Sequence, residues 1–399
     1  MSQMSISSRF VLPALLALSA AACAENSADT NKTASAVTAS AAVETAAAIQ
    51  AHPVDAAEKW QWQTMAQGLN HPWGLAFLPD GSFLITERSG TLRVADAGGQ
   101  LSEPLGGLPE IDVGGQGGLL DVVPDTDFAR SRRVYFCFSE PGRGGNSTAL
   151  AEGVLAADKR SLTEVKTLFS QQPKVSSRNH FGCRIALTSE HIFMSMGDRY
   201  SRREDAQNLN NHIGKIVCLN RDGSIPADNP FVNQSDARGE IWSYGHRNVQ
   251  GLTLDSRGRL WANEHGAQGG DEINRIEAGK NYGWPVISYG KDYGGGKIGE
   301  GSAKAGMQQP LYYWDPSIAP SGMAFVGKNP YGSDWNGNLL IGALKFGYLA
   351  RLMLEDGKVV REEKIEVGER VRDVRQASDG TIYILTDSSN GKLMKLLPR

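Results

Sequence analysis

Residues 240 to 285, EIWSYGHRNVQGLTLDSRGRLWANEHGAQGGDEINRIEAGKNYGWP, carry an unusual density of reactive side chains. Arg247 and Asn248 stand in GHRNVQG, and Gly266, Ala267, Asp271 and Glu272 in EHGAQGGDE. Elsewhere the same chemistry is spread thinly: Gln116 in GGQGGLL, His180 in RNHFGCR, Lys345 in GALKFG, and Arg370 and Arg372 in ERVRDV. Brought together, Arg247, Lys345, Arg370 and Arg372 would focus positive potential in a chain of net charge -3. Such a set suits a compact polyanion, with arginine favouring carboxylates or phosphates. His180 in that company would have its pKa lowered by the neighbouring positive charge. Neutral at pH 7, it could serve as a general base. Asn179 beside it cannot act as an orienting carboxylate. The 266–272 loop offers backbone carbonyls followed by two carboxylates, hard oxygen donors that suit calcium. The alternative is a tight turn capped by acids. No EF-hand pattern, nucleophile elbow or phosphate-cradling loop is present.

The elements that must position these residues are short strands. Leu252 to Asn263 reads as two strands, LTLD and RLWAN, around the turn SRG. Its Gly-rich, polar flanks are expected to be loops outside the core. The same pattern, an apolar strand, a polar turn and a second apolar strand, recurs at 74–87, 118–140, 182–198, 251–264, 322–344 and 371–387. Further short strands lie between these units, and almost no stretch has a helical period. Six units predict an all-β, six-bladed β-propeller with four-stranded antiparallel blades over residues 57–399. The stretch near Trp60 to Met65 is expected to close the ring beside the last blade. Polar residues flanking each unit's first strand would then converge on the central channel.

The chain has 399 residues, 40% of them hydrophobic, and 46 glycines. That is ample for a core, and the charge balance does not suggest a nucleic-acid partner. Residues 1–23 read as a signal peptide: Arg9 precedes the apolar run Phe10 to Ala22, which is too short to span a bilayer. Its end, Ala20-Ala21-Ala22-Cys23, resembles a lipoprotein cleavage site, the alternative being an ordinary cut nearby. Localisation is therefore expected to be periplasmic, with any membrane attachment made through a lipid on Cys23. Residues 24–56, rich in Ala, Thr and Ser, read as a flexible tether. Cys137, Cys183 and Cys218 remain; export allows one disulfide, and an odd number leaves at least one thiol unpaired.

Several motifs in one order, NHFGCR, GEIWSYGHRNVQGL, GGDEIN…GKNYGWP, GALK and RVRDV…DGTIYILTD, resemble the soluble quinoprotein glucose/sorbosone dehydrogenases, and within them the bacterial aldose sugar dehydrogenases. The resemblance runs from about Asn70 to Arg399. It implies a six-bladed propeller with pyrroloquinoline quinone (PQQ), a tricarboxylate ortho-quinone, on its axis beside Ca2+. It implies His180 as the base that takes the anomeric proton and Arg247 as the residue polarising the quinone. It implies Asn248, Lys345, Arg370 and Arg372 as cofactor partners, Gln116 near the substrate, and Tyr293 and Ser317 as further cofactor contacts. The carbonyls of Gly266 and Ala267 match calcium ligands on the cofactor side, and Glu272 and Tyr282 match a second calcium site. An aldose substrate and a respiratory or artificial electron acceptor follow, with monomer and homodimer both open. Cys183 and Ala267 depart from the commoner Ser and Pro, and the region after Gly197 is short, which implies an open sugar site. Two other readings stand beside this one: a calcium-dependent propeller lactonase and a non-catalytic binding propeller.

Overall fold

In the computed structural model, described here over residues 48–56 and 59–399, six small sheets make a six-bladed β-propeller. The first blade is Pro72–Phe77, Phe83–Glu87 and Thr91–Ala95. The second is Leu119–Pro124, Arg133–Gly142, Gly145–Leu155 and Leu162–Ser170. The third is Ile185–Leu187, His191–Ser195, Lys215–Asn220 and Ile241–Tyr244. The fourth is Val249–Leu254, Leu260–Glu264, Asp271–Ile276 and Tyr312–Trp314. The fifth is Pro320–Phe325, Leu339–Ala343, Tyr348–Glu355 and Lys358–Glu366. The sixth is Val371–Gln376, Ile382–Thr386 and Gly391–Pro398, completed by the N-terminal strand Trp60–Leu69. That antiparallel pairing closes the ring as expected from the sequence.

All six repeat units are the first two strands of a blade. Their second strands are apolar runs rather than alternations because neighbouring blades cover both faces: Phe83–Glu87 and Leu339–Ala343 are buried throughout. A separate apolar cluster fills each of the six gaps between blades. The glycine that opens the units has a steric reason. A Cβ on Gly74 would stand 2.9 Å from Leu120 O, and one on Gly322 1.9 Å from Asp373 Oδ1. Only glycine lets the next blade's inner strand approach this closely.

Two expectations are corrected. The blades are not uniformly four-stranded. The first has three strands, because the Gly- and Pro-rich stretch after Ala95 makes only isolated bridges, Ala95 to Leu101 and Gly106 to Ser161. The fourth and fifth have five, because Ile49–Gln50 and Val54–Asp55 add to their outer edges in parallel. The expected tether 24–56 is therefore strand-paired at its C-terminal end. Open sheet edges offer unpaired backbone groups, and pairing with them requires no apolar side chains. The signal peptide and the rest of the tether lie outside the described residues. Among the described residues no helix is long and apolar enough to cross a membrane.

Candidate functional site

Five of the six inner strands are irregular near their first residues, with register shifts between Pro72 and Leu75, Leu119 and Val122, Val249 and Gly251, Pro320 and Met323, and Val371 and Asp373. A bulge re-aims the side chain it carries. Trp73, Leu120, Gln250 and Arg372 sit at these irregularities, and all four line one axial cavity of about 150 Å³. Gln116, Asn248 and Arg370, just ahead of or at the starts of inner strands, line it too. Four of the residues expected to converge on the channel, Gln116, Asn248, Arg370 and Arg372, thus line one cavity.

The cavity has a surplus of positive charge. Arg372 donates Nη2 to Asp387 Oδ2 at 2.6 Å and Nη1 to Gln250 Oε1 at 3.2 Å. Arg370 donates to Leu344 O at 3.2 Å and to the same Asp387 oxygen at 3.3 Å. Arg88 lines the cavity and has no ion-pair partner among the described residues. Three guanidiniums thus face one carboxylate. Burial pushes the Asp387 carboxyl up, but Arg372 and the His71 hydrogen bond outweigh it and hold its pKa well below the usual range. The Nε atoms of Arg372 and Arg247 are buried without a hydrogen-bond partner. Unsatisfied buried donors of this kind are uncommon and call for an acceptor. His265 at the rim stays neutral, since burial lowers its pKa to about 3.

His180 lies just ahead of the third blade's inner strand with φ 50°, and its N–H is held by Gln116 Oε1 at 2.7 Å. Its Nδ1 is 2.6 Å from Asp198 Oδ1, and both side chains are buried. The carboxylate accepts, so Nδ1 carries the hydrogen and Nε2 keeps its lone pair; Nε2 has no partner among the described residues. The His180 pKa is lowered as expected, but burial is the largest cause, with Arg247 and Arg199 adding to it and Asp198 opposing. Burial raises the Asp198 carboxyl, yet His180, Arg247 and the Tyr200 N–H bring it below its ordinary value. Asp198 Oδ2 accepts Trp284 Nε1 at 2.8 Å. Arg247 is buried beside them, its Nη1 on His265 O at 3.2 Å, its Nη2 on Tyr293 Oη at 3.1 Å, and its guanidinium 5.2 Å from the Trp284 ring.

The flanks of the 252–263 hairpin are not exposed loops. Residues 245–250 are buried, as are Glu264, Gly266 and 269–271, because these polar groups bond one another near the axis. Glu264 accepts Arg247 N at 2.7 Å and His246 Nδ1 at 3.0 Å. Glu272 is its register partner across the strands, and Asn274 Nδ2 reaches both at 3.4 and 3.1 Å. Burial and then Glu264 raise the Glu272 pKa to about 8. Asn274 Oδ1 is buried without a partner. Glu272, Tyr282, Gly266 and Gly270, with Glu264 and Arg247 among the other walls, line a void of about 10 Å³. The Tyr282 hydroxyl donates to Arg275 O at 2.7 Å and accepts Glu277 N at 2.9 Å, so only its main-chain carbonyl is left as a ligand. These oxygen donors fit a hard cation. Among the described residues no group of three or more His, Cys, Asp and Glu could hold a metal.

Of the residues expected to contact a cofactor or act in catalysis, His180, Arg247, Ser317, Lys345 and Tyr293 stand outside the lining of the axial cavity. Ser317 Oγ donates to Asp271 at 2.6 Å; that carboxylate also holds the N–H groups of Gly266, Ile318 and Ala319. Lys345 is exposed beyond Leu344, and Tyr293 is half exposed at the mouth. Sequence reasoning missed Arg88, Asp198, Trp284 and Asp387. Three of these follow the ends of second strands, which in an antiparallel hairpin lie beside the starts of the first. Reading the ends of the units as well as their beginnings would have found them.

Beneath the cavity the axis is closed by a second charged group. Arg184 Nη1 is 3.1 Å from Asp121 and 3.2 Å from Asp373, and Arg375 contacts both carboxylates at 3.0 Å. Cys137 and Cys183 form a disulfide between the second blade and the segment before the third, while Cys218 is free and buried.

A propeller with a cationic axial cavity beside a buried His–Asp pair can hold an anion next to a neutral base. The sequence model of the glucose/sorbosone dehydrogenases matches residues 69–395, and the chain belongs to that family of oxidoreductases. It is 46% identical over 345 residues to aldose sugar dehydrogenase YliI of Escherichia coli K12, covering 84% of this chain and 92% of that one. The apo-form crystal structure of the soluble Escherichia coli aldose sugar dehydrogenase superposes with a TM-score of 0.83 at 44% identity, covering 85% and 100% of the two chains. The PQQ-bound aldose sugar dehydrogenase of Streptomyces coelicolor gives 0.69 at 28% identity, covering 85% and 99%.

Proposed function

We propose that the protein is an exported aldose dehydrogenase that binds PQQ and calcium and oxidises aldoses at C1 to the lactone, passing electrons to an acceptor other than oxygen. The observation that carries this is the axial cavity itself: three guanidiniums against one carboxylate, with a buried unpartnered Nε on Arg372, next to a buried neutral histidine whose Nε2 is free. A tricarboxylate answers that surplus, and a PQQ-bound relative supports the choice.

PQQ when bound supplies the carbonyl carbon that accepts hydride. His180 Nε2 takes the proton of the anomeric hydroxyl as the hydride leaves C1. Asp198 fixes the imidazole tautomer and stabilises the imidazolium that forms. Arg247 sets positive charge where negative charge develops. Arg88, Arg370, Arg372, Asn248 and Lys345 would hold the cofactor's carboxylates and carbonyls, with Tyr293 and Ser317 at its edge. Gln116 holds the backbone of the base. The carbonyls of Gly266 and Ala267 would hold calcium beside the cofactor, and Glu272 with the Tyr282 carbonyl a second ion. The lactonase alternative requires carboxylates free at the axis, whereas Asp121 and Asp373 are bound to Arg184 and Arg375. The disulfide supports export to an oxidising compartment.

The test is dye reduction by the metal-stripped protein with a panel of aldoses. Turnover that needs both PQQ and calcium supports the proposal; no turnover with both present overturns it.

A further inference from the structure

Arg199 and Tyr200 both adopt left-handed backbone conformations, φ 56° and 63°. Each costs a non-glycine residue on the order of 1 kcal/mol or more, and such conformations persist only where the surroundings enforce them. Arg199 enforces this one. It is fully buried, its Nε donates to Asn179 O at 3.1 Å, its Nη1 to Asn146 O at 3.3 Å and its Nη2 to Ser177 O at 2.6 Å. Its guanidinium also lies 3.8 Å from the Phe181 ring. On the other side, Asp198 Oδ1 accepts the Tyr200 N–H at 2.7 Å.

So much anchoring presents a side chain that does not enter the core. Tyr200 is 51% exposed, and its ring stands edge-on to His180 with centroids 5.4 Å apart. Tyr293, 52% exposed, lies 6.4 Å from it, tilted by 33°. The two rings are too close to admit a third between them, so they form one apolar rim rather than a slot. The Arg203–Asp292 ion pair, 3.1 Å, ties together the two loops that carry them. The rim spans from the base to Arg247, whose Nη2 meets Tyr293 Oη.

We propose that Tyr200, with Tyr293, receives the C–H face of an aldopyranose ring while the anomeric hydroxyl meets His180, making Tyr200 a specificity-determining residue. A pyranose presents an apolar face of C–H bonds, and a tyrosine ring offers a matching surface with a polar tip. This rests on the dehydrogenase reading above.

The test uses the protein loaded with PQQ and calcium. Tyr200→Asn removes the ring but keeps a residue that tolerates the left-handed backbone. It is expected to raise the KM for glucose about three- to tenfold, with the dye KM and the cofactor titration unchanged. Tyr200→Phe, which keeps the ring, restores the sugar KM. Saturation-transfer NMR with methyl β-glucoside, which has no free anomeric hydroxyl to oxidise, should show contact to the sugar ring protons in the wild type and lose it in Tyr200→Asn. An unchanged sugar KM with equal saturation transfer, or a rise in the dye KM in place of the sugar's, overturns the assignment. Should the wild type fail to reduce dye, the dehydrogenase reading falls while the NMR arm still decides the contact.

Discussion

Two charged groups share the propeller axis and differ in one respect. In the floor, Arg184 and Arg375 meet Asp121 and Asp373, two charges of each sign, each arginine in contact with both carboxylates. In the cavity above, Arg370 and Arg372 share the single carboxylate of Asp387, and Arg88 lines the same cavity without an ion pair among the described residues. The floor draws on three blades and the cavity set on two, and the Trp73 ring lies 3.9 Å from the Arg184 guanidinium and 5.8 Å from that of Arg372. A balanced buried set is complete as it stands and locks the blades together. An unbalanced one, with Arg370 half exposed, is open to a further anion. Charge balance, more than burial or residue type, separates structure from site here.

The sharpest contrast is between the base and everything around it. His180→Ala should lower kcat by about 10²–10⁴-fold in steady-state dye reduction. Next, the floor should respond through stability. Asp373→Asn leaves buried guanidinium charge uncompensated and should cost about 3–5 kcal/mol, read by denaturant unfolding. If it melted like the wild type, the locking role would be lost. The cavity should respond in the opposite sense. Arg88→Gln, which breaks no ion pair within the protein, should leave stability alone and weaken PQQ binding about ten- to hundredfold, the range of a charge-assisted hydrogen bond. Equal loss of stability in both variants would erase the distinction.

How much of this was legible follows from where each residue stands. His180, Arg247 and Arg372 precede or open inner strands of repeats that a reader can align, so their convergence follows from counting blades. Asp198 and Arg88 close second strands, and their meeting with the first set depends on strand pairing that only the fold supplies. Trp284 arrives from a loop outside the repeat. The burial of 245–250 was hidden because the flanks look like loop sequence, polar and glycine-rich, yet satisfy one another inside. The edge strands at 49–50 and 54–55 pair by backbone alone, and composition has no sign of that.

The smallest expected effects are those of pH. Burial holds the His180 pKa below its ordinary 6.5, so the base stays neutral and kcat/KM should remain flat as pH falls through 6.5, declining only at lower pH. Asp198→Asn removes the group that holds this pKa up and should move the acid limb lower still. For stability the signs are separate. Asp387, depressed in the folded state, contributes stability that is present above about pH 4 and lost as pH falls toward its folded value. Ligand-free unfolding against pH checks this, and the loss should disappear in a variant lacking Asp387.

The central claim is that the cationic axial cavity holds the cofactor. Calorimetric titration of PQQ into the metal-stripped protein, with and without added calcium, tests it most directly. Binding at one site per chain, weakened by salt and by Arg88→Gln, is the predicted result. No heat of binding under either condition, from protein that melts cooperatively, would contradict it.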